Sequence, residues 1–435
     1  MAVAKANLLE PLREERLGLT QSALVVGGGI AGMNAALGLA EQGFPVHLVE
    51  KRGGLGGEAN HIHRTWKGED VQAYLRDLTA RIKGNPKITL HLNSQITEVK
   101  GFVGNFETRL SSNGTERTLA HGVAILATGG SPLSPDEYLY GKHPRVLRWH
   151  DVDDLIARRD PLVLEGRCAA FIQCVGSREP ERPYCSKICC THSVTSAVKL
   201  KEINPNMDVH VLYRDIRTYG AREDLYREAR DRGVNFIRYS LDAKPGITVD
   251  GNGGLELITQ DRVLGRPIIL KPDFINLATA IVPSGLEGLA NLFKVPLNSD
   301  RFFLEAHAKL RPVDFATDGV FLCGLAHYPK PIEESVAQAL AAASRAATVL
   351  SQKYIETSGL TATIDAERCV GCQGCLDVCP FGAINYFEDR HICQVNKALC
   401  KGCGGCAATC PSGSVQLMGF RPHQLYAQID KALAE

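Results

Sequence analysis

The 435-residue chain lacks any uninterrupted apolar run of the roughly 20 residues that a membrane-spanning helix takes, so no span is expected. It lacks an excess of charge. The formal net charge is +1, without the concentrated Lys/Arg surplus of a nucleic-acid surface. Its first residues, MAVAKANLLEPLREERLGL, mix charges throughout and lack the apolar core of a secretory signal. A short amphipathic helix or an arm fits them better. No catalytic triad and no acid–base pair can be assigned. Nor do the cysteines form a disulfide framework, because the 15 present are odd in number and bunched. In a reducing cytoplasm, where the chain is expected, such bunches read as metal ligands.

Two of the bunches are matched. Cys369-x2-Cys372-x2-Cys375-x3-Cys379-Pro380 is repeated as Cys400-x2-Cys403-x2-Cys406-x3-Cys410-Pro411. The two-residue gaps let successive thiolates curl around one cubane. In two-cluster ferredoxins the fourth cysteine of each run ligates the other cluster. The expected ligands of one [4Fe–4S] cluster are therefore Cys369, Cys372, Cys375 and Cys410. Those of the other are Cys400, Cys403, Cys406 and Cys379. Structural zinc sites usually pair CxxC knuckles across a longer spacer. Cys393 lies outside both runs, on an expected strand, and reads as a packed thiol. Cys168 and Cys323, on apolar strands, read as core thiols.

Residues 21–50 read as strand, glycine turn, helix and strand. Gly27-x-Gly29-x-x-Gly32 follows the strand ALVV and opens the helix, and Glu50 ends the next strand. This is the dinucleotide fingerprint in its required context. The glycines allow a tight turn and a close approach to pyrophosphate. The helix N-terminus stabilises the phosphates, and the acid binds ribose hydroxyls. FAD and NAD share it. Lys51 to Gly57, with Gly56 and Gly57 just beyond the ribose position, favours FAD, as does the strand end at Thr128 and Gly129. The segment from Asp318 to Gly324 resembles the second FAD segment of thioredoxin reductase-like flavoproteins. There an aspartate usually follows the last glycine; here Leu325 stands in its place. His327 and Lys330 lie just downstream, within reach of a flavin ring or as loop residues. His61 and His63 follow the glycine-rich segment in the same way.

A second βαβ unit begins at Cys168. Its first turn would normally hold a nicotinamide dinucleotide on its own glycine loop, but a complete GxGxxG is missing. Cys174, Cys185, Cys189 and Cys190 stand there instead. From residue chemistry alone these four suit an atypical [4Fe–4S] site, a redox-active disulfide or unmodified buried thiols.

At these residues the chain resembles the A subunit of heterodisulfide reductases, over about residues 21 to 432. The shared text includes Cys174-Val-Gly-Ser-Arg, Tyr184-Cys185-Ser with Cys189-Cys190, the stretch from Tyr213 to Gly220, and Cys400-Lys-Gly-Cys403 through Pro411. The resemblance implies a third [4Fe–4S] cluster on Cys174, Cys185, Cys189 and Cys190 beside FAD. It implies an electron-transfer subunit that relays electrons to partner subunits. Those partners would resemble the B and C subunits of heterodisulfide reductase, or be hydrogenase-, quinone- or acyl-CoA reductase-linked, in a hetero-oligomeric complex. Long members carry an extra N-terminal cluster domain and an inserted ferredoxin module, which this chain does not. Many have a lysine where Thr195 stands, which puts electron bifurcation in doubt. A contrasting reading is a freestanding NAD(P)H-dependent iron–sulfur flavoprotein, but that group usually places its clusters first and keeps the second glycine loop.

Alternating strands and helices point to α/β layers. The expected fold is a pair of thioredoxin reductase-like, FAD-binding Rossmann domains plus a C-terminal α+β ferredoxin-like domain. The expected boundaries are an arm over 1–20, the FAD domain over 21–160 and 286–356, and the second Rossmann-like domain over 161–285. A short linker leads to the two-cluster domain over 361–420 and a C-terminal helix over 421–435.

Overall fold

The strand Ala23–Val26 carries four apolar residues in a row, and all four are buried, as a strand covered on both faces requires. In the computed structural model, which describes residues 1–435 except 13, 15, 262–264, 357 and 435, this strand is central to a five-stranded sheet. The arm, the linker and the C-terminal helix each include one or two residues outside that description. The sheet order is Val320–Leu322, Val123–Leu126, Ala23–Val26, Val46–Val49 and Ile88–His91, all parallel. The helix Ile30–Glu41 packs against the helix Ile332–Leu350. Ala339, Ala342, Ala343 and Ala346 recur at helical spacing and are all buried, so the two backbones approach closely. That long helix begins at Ile332, just past Pro331. Glu333 and Glu334 occupy its first turn, where carboxylates suit the helix dipole.

A second sheet repeats the plan. Its order is Val146–Arg148, Phe274–Thr279, Cys168–Val175, Asp208–Tyr213 and Asn235–Arg238, again all parallel. The helix Cys189–Ile203 covers one face, with Val194, Ala197 and Val198 packed on Phe171 and Phe274. Ala23–Val26 in the first sheet and Cys168–Val175 in the second each have later strands on either side, which opens a crevice at the C-terminal end of each. Two three-stranded antiparallel sheets were not foreseen. One spans Ser94–Phe102, Asn105–Ser112 and Thr115–His121, the other Gly246–Val249, Leu255–Asp261 and Arg266–Leu270.

Residues 21–350 form one compact unit. Residues 1–20 and 351–435 form another. In the second unit the strand Arg16–Gly18 pairs antiparallel with Tyr354–Glu356. The helix Pro422–Leu433 is met by the N-terminal segment: Gln424 donates to the Leu8 carbonyl at 2.8 Å, and Arg421 pairs with Glu10 at 2.7 Å. The core of this unit is a two-fold repeat. Each cysteine of the first run recurs 31 residues on, Cys369 as Cys400 and Cys379 as Cys410. The hairpin Ile384–Phe387 with Ile392–Val395 and the pair Ala362–Ile364 with Val415–Leu417 follow the same offset. No described helix is long and apolar enough to cross a membrane.

Candidate flavin and iron–sulfur sites

The glycine turn is built by steric necessity. Gly27 has φ +112°, and a Cβ there would lie 2.3 Å from the Ala127 carbonyl oxygen. A Cβ on Gly32 would lie 1.8 Å from the Gly27 oxygen, so only glycine lets the helix sit this close to the strand. Gly29 differs. Nothing lies within 4 Å of a Cβ there, and the space it faces is the cavity. Gly29 also caps the helix Ile30–Glu41, whose free N–H groups turn towards that space. Glu50 directly follows its strand and is buried. Its carboxylate accepts from the Gly28 N–H at 2.6 Å and the Arg52 N–H at 2.8 Å, which fixes it at the turn.

These residues open into a cavity of about 1200 Å³ that takes in Gly27, Gly29, Glu50, Lys51, Gly56, Gly57, Thr128, Gly129, Gly324 and Lys330. Gly32 stands behind the turn as a packing glycine. The fit to a dinucleotide flavin rests on two observations: Gly29 leaves a cradle that any side chain would fill, and the buried Thr128 hydroxyl has no partner. Lys330 donates to the carbonyls of Gly324 at 2.7 Å and Tyr328 at 2.8 Å. Burial pushes its ammonium down to about 7, against the opposing field of Cys323. His327 faces elsewhere, held between Glu305 at 2.9 Å and Gln338 at 2.7 Å. His63 reaches the cavity wall and pairs with Asp154, whereas the His61 ring lies tilted against His150, 5.0 Å between centroids.

On the same wall stand Lys187, Ile188, Thr191 and Thr195, which belong to the second sheet's first turn and the helix it opens. That turn carries the four cysteines. Cys174 sits in a β-bulge with φ +60°, and Arg178 and Lys187 also have positive φ. Such strain concentrated in one loop marks a functional site. Cys174, Cys189 and Cys190 are buried and Cys185 is half-buried. The Cys189 thiol is pushed well up, first by its bond with Cys190, then by burial, then by the charges of Cys190, Cys174 and Cys185. One thiol thus feels the other three. That same bond draws Cys190 down to about 7, against burial. Arg178 approaches the Cys174 sulfur at 4.0 Å and pairs with Asp215 at 2.6 Å. Tyr184 donates to the Ile281 carbonyl at 2.9 Å, and Ser186 accepts from the Ile281 N–H at 2.9 Å. The residues on either side of Cys185 therefore anchor it to Ile281, a residue of the flavin cavity. Lys187 pairs with Glu334 at the start of the long helix. Sequence reasoning missed these anchors, although Tyr184 and Ser186 stand beside a cysteine it had singled out.

In the repeat unit, Cys379, Cys400, Cys403 and Cys406 line one small cavity of about 20 Å³. Cys406 is pushed up by burial and then by the charge of Cys400, with Cys379 also contributing. Around the other run, burial and then Cys393 push Cys375 up to about 12. The Cys393 N–H reaches the Cys369 sulfur at 3.5 Å, as the Ala362 N–H reaches Cys400 at 3.4 Å. Burial would raise Cys410, but hydrogen bonds from Ser414 and Ser412 outweigh it and bring the thiol down to about 6. Among the described residues no three His, Cys, Asp or Glu side chains gather at the spacing of a single ion. Cys323 is buried and pushed by that burial up to about 12; Cys168 is half-buried at its strand's start.

Two-electron and one-electron chemistry are housed in one chain. It is an electron-transferring oxidoreductase that carries FAD and [4Fe–4S] clusters. Family models agree: residues 21–163 match the pyridine nucleotide-disulphide oxidoreductases, and residues 368–414 match the 4Fe–4S dicluster domain. The A subunit of the H(2):CoB-CoM heterodisulfide,ferredoxin reductase of Methanothermobacter marburgensis is 33% identical, covering 100% of this chain and 80% of that protein. The iron-sulfur A subunit of the CoB--CoM heterodisulfide reductase of Methanocaldococcus jannaschii is 30% identical over 99% of this chain and 80% of its own. The chain belongs to the family of heterodisulfide reductase A subunits. In fold it is similar to T. acidophilum thioredoxin reductase, with TM-score 0.54 and 15% identity over 76% of this chain and 99% of that one.

Proposed function

We propose that this chain relays electrons as the flavin-bearing subunit of a heterodisulfide reductase-like complex, with a third [4Fe–4S] cluster on Cys174, Cys185, Cys189 and Cys190. The observation that carries this reading is that four thiols stand on the turn that would otherwise dock a nicotinamide, three of them buried, with Lys187 and Ile188 of that turn lining the flavin cavity. FAD, when bound, exchanges electrons in pairs or singly, and each cluster carries one. Gly27, Gly29 and the helix N-terminus would take its pyrophosphate, and Glu50 its ribose. Lys51, Gly56, Gly57, Thr128, Gly129, Gly324 and Lys330 would surround the rest. The cavity at Cys379, Cys400, Cys403 and Cys406 supports one crossed ligand set. Cys369, Cys372, Cys375 and Cys410 are then left for the other.

Partner subunits give and take the electrons. By family they are of the B and C type, or they link the chain to a hydrogenase, a quinone or an acyl-CoA reductase. Thr195 lines the cavity and spends its hydroxyl on its own helix, donating to the Thr191 carbonyl at 2.9 Å. It supplies no charge where many family members have lysine, which argues for plain relay over bifurcation. Native purification under anaerobic conditions tests the partner class through the subunits that copurify. Metal analysis tests the cofactor set. About twelve irons per flavin are expected from three cubanes, and about eight would remove the third.

A further inference from the structure

The core beneath the four-cysteine turn is not apolar throughout. Phe171 and Phe274 point from adjacent strands to the face covered by the helix Cys189–Ile203. Two residues further on, Gln173 and Asn276 fall on that same face. Both are fully buried, and neither polar atom of either amide has a hydrogen-bond partner. Ser193 stands one helical turn after Cys189, is fully buried, and has a hydroxyl without a partner. Thr279, opposite Val175 in the register, is in the same condition. Folded proteins pair nearly all such groups, and an apolar side chain would fill these positions with no polar atom to satisfy.

The orphaned groups are grouped by sequence and register around the cysteines. Gln173 precedes Cys174. Ser193 shares a helix face with Cys189. Thr279 lies two residues before Ile281, which is bonded to the residues on either side of Cys185. Positive charge joins them. Arg214 is buried, gives its Nη atoms to the carbonyls of Ser177 at 2.5 Å and Arg178 at 2.8 Å, and has no partner at Nε. Arg178 stands at the Cys174 sulfur.

We propose that Gln173, Asn276, Ser193 and Thr279 are hydrogen-bond donors to the sulfurs of a cluster seated on Cys174, Cys185, Cys189 and Cys190. With Arg178 and Arg214, they hold its potential more positive than the cysteines alone would. The inference rests on the third-cluster reading and deepens it. Donors to cluster sulfur and nearby positive charge stabilise the more negative, reduced state. A buried amide does so strongly because little solvent screens it. The cluster beside the flavin is then a resting place for one electron, tuned from below by the sheet.

The test is a redox titration followed by electron paramagnetic resonance on the purified protein and on the variants Gln173→Leu and Ser193→Ala, with iron counted in each. The expected result is a full iron count and one cluster signal moved to more negative potential, while the two ferredoxin-type signals stay in place. An unmoved potential at full iron in both variants overturns the inference and leaves water as the partner of these groups. Should Gln173→Leu lose the cluster, Ser193→Ala and the similarly shaped Thr279→Val decide in its place: a negative shift in either supports the inference, and no shift in both overturns it. About eight irons per flavin in the unaltered protein is a different failure, that of the third cluster itself.

Discussion

The two parallel sheets of residues 21–350 follow one plan up to the C-terminal ends of Ala23–Val26 and Cys168–Val175, and there they part. In the first sheet only Gly27, Gly28 and Gly29 separate strand from helix. In the second, Gly176 to Ile188 intervene, and the helix opens on Cys189 and Cys190. Both turns bring an anion-friendly helix N-terminus to a crevice. The short turn offers bare backbone, which suits phosphate. The long turn has enough chain to bring four thiols together, which suits iron. Topology fixes where a ligand binds, and the length and chemistry of one turn fix which ligand it is.

The largest break in that comparison should come from Cys189→Ala. Iron should fall by about four per flavin, with flavin retained and the ferredoxin-type resonances unchanged. Iron analysis and spectroscopy check this, and an unchanged iron content would remove the contrast between the turns. In the other turn, Gly29→Val should fill the cradle without straining the backbone. Flavin affinity should drop at least about tenfold, or about 1.4 kcal/mol, with all iron kept. Equilibrium binding of FAD to the deflavinated protein measures it. If the cysteine turn has displaced nicotinamide, anaerobic mixing with NADH or NADPH should leave the flavin colour unchanged on the stopped-flow timescale. Rapid bleaching would show that the second turn still serves a dinucleotide.

The effect of Lys330 is spread over a range of pH. Its folded value of about 7 lies below the ordinary lysine value of 10.5, so the unfolded chain binds the extra proton between those limits. Its burial therefore costs stability at neutral pH, and that cost fades as pH rises towards 10.5. Stability of the deflavinated protein should climb over this window by at most about 1.4 kcal/mol per pH unit, and Lys330→Met should flatten the climb. Denaturant unfolding at several pH values reads the slope directly.

Much of this molecule can be read from its residues, for identifiable reasons. A four-residue apolar strand, a glycine turn and a capped helix are local features, so Gly27, Gly29, Gly32 and Glu50 declare themselves. The helix at 189–203 and the matched cysteine runs do so equally. Long-range matters are different. Lys187 and Glu334 are 147 residues apart and meet only because two crevices adjoin. The antiparallel sheets hide because their strands are half exposed; Thr115–His121 shows water a polar, nearly continuous face. His327 and Lys330 looked equivalent in sequence, yet Glu305 and Gln338 turn one away while the other lines the cavity.

The 31-residue repeat of the ferredoxin-type unit is imperfect in its buried core. Ala362 and Cys393 occupy equivalent positions, each giving its N–H to the first cysteine of a run. One half has a methyl group there, and the other has a thiol packed against Cys375. A duplicated device would ordinarily yield two interchangeable stations with equal electron occupancy. Asymmetry of this kind makes the two halves distinguishable, so a cluster seated in each would meet a different environment.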